Sequence, residues 1–406
     1  MKSIFILFSV FTLVYTFSCS KPEEVAPAPT PTSENETNTI ENCPTGKSGQ
    51  LIEGQYIVFF KQETDVTNQR RTKNYKAYVH EKAQNLLVRK NSPVKFNKVY
   101  HGAFQGFTGR FSRDKIKEIQ SDPEVDFVIQ DYFVSLESAD NVKISTVLTQ
   151  ETPWGITKVG QGKPGNQLAW VLDTGIDTDH PDLNVDVIQS RSFICSEPSV
   201  EDMNGHGTHV AGIIAAKDNT EGVVGVAPGN TVVGLKVMNA KGEGLMSDLL
   251  EGLDYVYQNA KSGDVVNLSL SGEADEFLDH VVDVISTEKQ IYFAMAAGNE
   301  NDDAGKSSPQ RLNNSFVYTV SAMDDAGVFA DFSNYGSCVD YCAPGVVISS
   351  TYLKGQYAVL SGTSMAAPHV AGMLLQKGKM LTKNGFVLND PDGNPDPIPV
   401  LKDINL

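Results

Sequence analysis

A chain of 406 residues is long enough for two or more folded units. Its 33 basic and 50 acidic side chains leave a formal net charge of −17, which sets aside a nucleic-acid phosphate backbone as partner and describes a solvated acidic surface. Five cysteines over this length do not make a disulfide scaffold.

Lys2 precedes an apolar run from Ile4 to Phe17 that is too short to cross a membrane and fits a secretory signal, residues 1–18. The run ends at Ser18-Cys19-Ser20. A cysteine at that point resembles a bacterial lipoprotein processing site, with Thr16 where that pattern prefers leucine, and implies lipidation of Cys19. Residues 19–50 are rich in Pro, Glu, Thr and Asn and read as a flexible spacer, because they cannot bury enough apolar surface to fold. Cys43 within it has no assigned role.

A small α+β unit follows, assigned to residues 51–148. Strands are expected at Tyr56–Phe60, Gly102–Phe111 and Val125–Ile129, and helices at Tyr75–Val88 and Asp114–Gln120. From residue 149 onward the pattern changes. Continuous apolar strands at Leu168–Leu172, Thr231–Val237, Val265–Leu270, Ile291–Ala296 and Phe316–Ala322 alternate with helical stretches. Asp248–Lys261, with Ser247 as N-cap, and Glu276–Lys289 are two of these helices. That alternation predicts an α/β domain with a parallel sheet covered by helices on both faces. Functional residues then belong at the carboxyl ends of strands, where Asp173, Ser269 and Asn299 fall.

Three glycine-bearing stretches carry the chemistry. Asp173-Thr174-Gly175-Ile176-Asp177 closes a buried strand. Asn204-Gly205-His206-Gly207-Thr208-His209 opens a helix. Gly362-Thr363-Ser364-Met365-Ala366-Ala367-Pro368-His369 is a turn into another helix, with Pro368 read into its first turn. A serine is a weak nucleophile without a base that a third group holds. Three such stretches in the order Asp, His, Ser resemble the subtilisin-like serine peptidases, and Ala296-Ala297-Gly298-Asn299-Glu300 matches a fourth segment of that family.

The resemblance implies roles for each residue. Ser364 attacks the scissile carbonyl, His206 takes and returns the proton, Asp173 orients the imidazole, and Asn299 donates to the oxyanion. His209 and His369 are read as structural. Gly242, Glu243, Gly244, Ser269, Leu270 and Ser271 match the segments that hold a peptide as an added strand, and Met246 and Leu249 an apolar pocket. Ser271 replaces a usual glycine at the first pocket. A structural calcium ion is implied at Gln150, Asp182 and Asn219 with the carbonyls of Lys217, Glu221 and Val223, an all-oxygen set.

The unit at 51–148 resembles the family's inhibitory propeptide, and residues 149–406 the catalytic domain, with a self-processing cut between Leu148 and Thr149. The implied partners are peptide substrates and the chain's own propeptide, with no nucleic acid, a membrane only through the lipid, and a monomeric state. The likeness weakens after Leu375, and Asn384 to Pro399 reads as irregular. Cys338 and Cys342 could pair with each other, or one of them with Cys195. An α/β-hydrolase needs its acid and histidine after the serine, and after Ser364 the one histidine is His369, on the same helix. A zinc peptidase needs His-Glu-x-x-His, which is absent from the sequence. The remaining rival is a catalytically silent relative acting as a binding module.

Overall fold

The computed structural model describes residues 43–62, 74–136, 142–145, 149–270 and 272–401. The signal, Cys19, most of the spacer, Leu148 and Ser271 lie outside the described residues.

The first part of the chain runs β1 (Leu51–Phe60), α1 (Tyr75–Arg89), β2 (Phe96–Tyr100), β3 (Gly106–Arg110), α2 (Arg113–Gln120) and β4 (Val125–Ser135). Its strands lie in the order β2-β3-β1-β4, all antiparallel. Val79, Ala83, Leu86 and Leu87 of α1 pack on Val58, Phe60 and Phe107, and Ile116 and Ile119 of α2 join the same core. Ser112 caps α2 by accepting from the Lys115 N–H.

Two features differ from expectation here. β2 carries little apolar signal, and the stretch read as one strand over Gly102–Phe111 begins as a loop. The reason lies in another part of the chain. The Asp254 carboxylate accepts from the backbone N–H groups of His101, Gly102 and Ala103 at 2.7–3.1 Å, which takes those donors from a ladder.

The second part begins with β5 (Lys143–Ser145), α3 (Trp154–Val159), β6 (Ala169–Asp173), β7 (Arg191–Ser192) and α4 (His206–Ala215). β8 (Val232–Lys236), β9 (Glu243–Leu245), α5 (Met246–Asn259), β10 (Val265–Leu268), β11 (Gly272–Glu273) and α6 (Glu276–Lys289) follow. The chain closes with β12 (Tyr292–Ala296), β13 (Ser307–Ser308), β14 (Val317–Met323), β15 (Tyr341–Pro344), β16 (Ile348–Tyr352), β17 (Gln356–Leu360), α7 (Thr363–Lys377), β18 (Thr382–Phe386) and β19 (Pro397–Val400).

Seven strands form a parallel sheet in the order β15-β14-β12-β10-β6-β8-β7. Buried side chains of α4 and α7 cover one face, and those of α5 and α6 the other. The α/β architecture is therefore the expected one, and the five predicted strands stand within a residue or two of their places. The order reverses around β6 and β10, and Asp173 closes β6 at that point.

Ser247 is not a cap, because α5 starts at Met246. The acceptor at its N-terminus is Asp131 of β4, which takes the Ser247 N–H at 3.1 Å. α6 is capped by its own Asp275, which accepts from Phe277 and Leu278. Asn384 to Pro399 is not irregular throughout. β18 and β19 pair antiparallel, and Val387 and Ile398 pack on Met323, Phe329 and Cys342. No described helix is long and apolar enough to cross a membrane.

Candidate active site

Asp173 is fully buried at the end of β6, and His206 is the first residue of α4. The His206 Nδ1 lies 2.9 Å from both carboxylate oxygens of Asp173. Two glycines permit this approach. Gly205, at φ +106°, turns the chain into the helix, and a side chain on Gly207 would meet the Gly175 carbonyl at 2.2 Å. Burial alone would depress the imidazole pKa. The charge and hydrogen bond of Asp173 outweigh it and hold His206 above its ordinary value.

A second buried carboxylate, Asp202, sets the frame around this pair. It accepts from the hydroxyls of Thr174 and Thr208 and from the N–H groups of Asn204, Gly205 and Thr208. Sequence reasoning passed over it. The signal was an Asp four residues before a catalytic-type histidine, inside a turn.

Ser364 stands at the second position of α7. Its Oγ donates to the Ser269 carbonyl at 3.3 Å, and the Ser269 Oγ donates back to the Ser364 carbonyl at 3.1 Å. The second bond corrects the reading of Pro368, which lies beyond the first turn. A proline there leaves the carbonyl four residues earlier without its helical partner, and Ser269 supplies the donor instead. Asn299 accepts through Oδ1 from the N–H and hydroxyl of Thr363, which makes Nδ2 the donating end of its amide.

The other two histidines of these motifs, His209 and His369, are buried and held by backbone carbonyls. His209 Nε2 lies 3.1 Å from the carbonyls of both Ile348 and Ala358, and burial holds its pKa down at about 3. His369 Nδ1 faces the Met365 carbonyl, and burial lowers it to about 4.

One of the two segments expected to hold a peptide, that of Gly242, Glu243 and Gly244, is already paired within the chain. β4 adds to β9 antiparallel, with Phe133 opposite Leu245, Val134 opposite Gly244 and Ser135 opposite Glu243. The next N–H, that of Leu136, donates to the Gly242 carbonyl at 2.8 Å. Met246 and Leu249 are fully buried in one cluster with Val134. Leu136 and Asn299 line one cavity together with Glu273, Glu300, Asp302 and Asp303, and Lys306, the one cation among its described lining residues, pairs with Asp302.

The three residues whose side chains are expected to hold calcium meet one another. Asn219 donates its backbone N–H to Gln150 Oε1 and its amide Nδ2 to Asp182 Oδ1, the latter at 2.7 Å. Asp182 also accepts from the Val223 N–H at 3.0 Å. Its carboxyl is buried, and burial pushes its pKa up, a cost that a cation would relieve. The set holds one carboxylate and two amides, and among the described residues no three His, Cys, Asp or Glu groups gather as a metal cluster. Each of the three side chains carries an oxygen of the kind a hard cation takes, so the residues fit one once the Asn219 amide turns its oxygen toward Asp182.

Comparison with known proteins decides the family. Residues 169–381 match the subtilase family, which is over half of the chain, and residues 55–137 match peptidase inhibitor I9. The chain belongs to the subtilase family. As a subtilase it is a serine-type endopeptidase with an I9 inhibitor unit. The subtilase-type proteinase psp3 of Schizosaccharomyces pombe is 32% identical over 88% of this chain and 79% of its own length. The M-protease of Shouchella clausii is 40% identical over 64% of this chain and 66% of its own. Subtilisin-like protease 3 of Saccharomyces cerevisiae is 37% identical over 68% of this chain, which spans 60% of that relative's length. A crystal structure of a cold adapted subtilisin-like serine proteinase superposes with a TM-score of 0.50 at 32% identity, over 61% of this chain and 97% of that one.

Proposed function

We propose that this subtilase is a self-processing zymogen of a secreted endopeptidase that works through Asp173, His206, Ser364 and Asn299. The observation that carries the reading is the Asp173–His206 pair at the carboxyl end of the parallel sheet, with Ser364 and Asn299 on adjoining helix and loop starts. Ser364 Oγ attacks the scissile carbonyl, and the electron pair moves onto its oxygen. His206 accepts the serine proton and passes it to the leaving amine, so protons balance across acylation. Water then repeats the cycle to free the acid. Asp173 holds the tautomer and stabilises the imidazolium. Asn299 Nδ2 and the Ser364 N–H stabilise the oxyanion.

Residues 51–148 serve as inhibitor and residues 149–406 as catalytic domain. β4 on β9 occupies the place that a substrate strand would take, and Leu136 continues toward Asn299. Ser269 and Leu270, both buried just after β10, would form the other side of the cleft. The acidic lining around Asn299 and Glu300 would accept a basic side chain before the cut as well as the apolar Leu148 of the self-processing site. Gln150, Asp182 and Asn219, with the carbonyls of Lys217, Glu221 and Val223, would hold calcium, which cross-links the start of the catalytic domain to two loops. Residues 1–18 export the chain, and lipid on Cys19 keeps it at a membrane.

A fluorophosphonate probe tests the reading. It labels the processed wild-type enzyme and not Ser364→Ala. Failure to label the wild type would instead favour the silent binding module.

A further inference from the structure

A disulfide joins Cys43 to Cys195, across a sequence separation of 152 residues. Cys43 lies in the segment just before β1 and the inhibitory unit. Cys195 lies in the loop after β7, within the catalytic unit. Cys338 and Cys342, two residues that the sequence left open as partners for Cys195, are free and buried.

The residues after Cys43 are docked, although composition put them in a flexible spacer. Gly46 packs so closely on the Phe133 ring that a side chain there would meet it at 2.3 Å. The Gly49 N–H donates to the Phe133 carbonyl at 2.8 Å, and the Phe133 N–H donates to the Gln50 carbonyl at 3.1 Å. Phe133 is the residue of β4 that pairs with Leu245 of β9. The disulfide therefore closes beside the strand that fills the cleft.

Two covalent links thus join the inhibitory and catalytic units. One is the peptide chain after β4. The other is the disulfide at the opposite end of the inhibitory sequence. We propose that the Cys43–Cys195 bond survives the maturation cut and keeps the N-terminal fragment covalently attached to the catalytic unit. The inference rests on the self-processing proposed above.

The consequence is physical. A cut inhibitor held by non-covalent contacts leaves on dilution. A tethered one faces a fixed effective concentration, in the millimolar range for short linkers, whatever the bulk dilution. Activation then requires a second cut between residues 44 and 148, because one cut frees nothing. After that second cut, the segment ending at Cys43 stays on the enzyme with whatever its N-terminus carries.

Cys195 is exposed, so a small thiol reaches the bond. The two free thiols are protected. Burial pushes Cys338 up to about 11 and Cys342 further. Dithiothreitol, which supplies two electrons and two protons, would open Cys43–Cys195 while leaving those thiols unchanged.

The test uses the full-length chain exported into an oxidising compartment, acid-quenched and run with and without dithiothreitol. Two fragments with reductant and one species without it are expected, and the intact mass of the unreduced enzyme should include the Cys43 peptide. Two separate fragments in both lanes would overturn the tether while leaving processing intact. A single band in both lanes would overturn it through the missing cut, and that points to the processing reading as the fault. Cys43→Ser and Cys195→Ser provide a second readout. Either variant should regain at least tenfold more activity on hundredfold dilution than the wild type, whose inhibition should not depend on dilution. Equal, dilution-dependent recovery in all three would also refute the tether.

Discussion

Phe277 gives the sharpest test of how the inhibitory unit is held. It stands in the first turn of α6, and its ring meets three rings of the inhibitory unit. The centroid of Phe59 lies at 3.8 Å, that of Phe104 at 5.1 Å and that of Phe127 at 5.2 Å, the last two edge-on. Each such pair contributes about 0.5–1.5 kcal/mol beyond the area it buries. Phe277→Ala removes all three, and the two edge-on pairs alone account for roughly 1–3 kcal/mol before the buried area is added. At about 1.4 kcal/mol per tenfold, the inhibitor should bind at least about fivefold more weakly, and on the order of a hundredfold at the upper end. The assay is recovery of peptidase activity on dilution in a Cys43→Ser background, where the complex can dissociate. The melting temperature of the mature enzyme serves as control and should change little, since the ring's aromatic partners all leave with the inhibitor. A dissociation constant within twofold of the parent would refute the claim that this aromatic cluster holds the complex.

Ser364→Ala should accumulate as uncut precursor with the fold intact, and N-terminal sequencing of the wild type should begin within a few residues of Thr149. If His206 is the proposed base, hydrolysis requires it neutral, and because Asp173 raises its pKa, kcat/KM should fall as pH drops through a midpoint above about 6.5. An acid limb at or below that value would contradict the pair geometry. EDTA should lower the melting temperature of the mature enzyme, and Asp182→Asn should abolish that effect. An EDTA-insensitive wild type would remove calcium from this loop set. Glu300→Gln should reduce the rate on substrates with Lys or Arg before the cut several-fold relative to Leu, and an unchanged ratio would mean that the acidic cavity does not read that side chain.

The parallel sheet and the catalytic-type residues were legible because their signals are local. An apolar run such as Trp170–Leu172 has few ways to be other than a buried strand, and Gly205 and Gly207 announce a close approach around His206. Each feature missed depends on a group far away in sequence. Asp131 displaced Ser247 as the acceptor at α5, from 116 residues before it. Asp254 took the N–H groups that would have extended β3, from about 150 residues after them. Cys43 sat in a stretch whose composition argued for disorder, and nothing nearby pointed to Cys195. The hairpin of β18 and β19 was masked by the Asp- and Pro-rich turn between its strands.

The cap on α5 bears on the order in which the molecule can be assembled. In the intact chain Asp131 of β4 accepts the Ser247 N–H, so one of the orphan donors of the first turn is satisfied. A chain that begins at Thr149 has Leu245 at that position and no carboxylate from β4, a deficit on the order of 1 kcal/mol at the cap alone. The absent aromatic contacts at Phe277 add to it. The mature enzyme, once denatured, must therefore find its way back without the surface on which it was first built. Its lifetime depends on how slowly it unfolds more than on how readily it refolds.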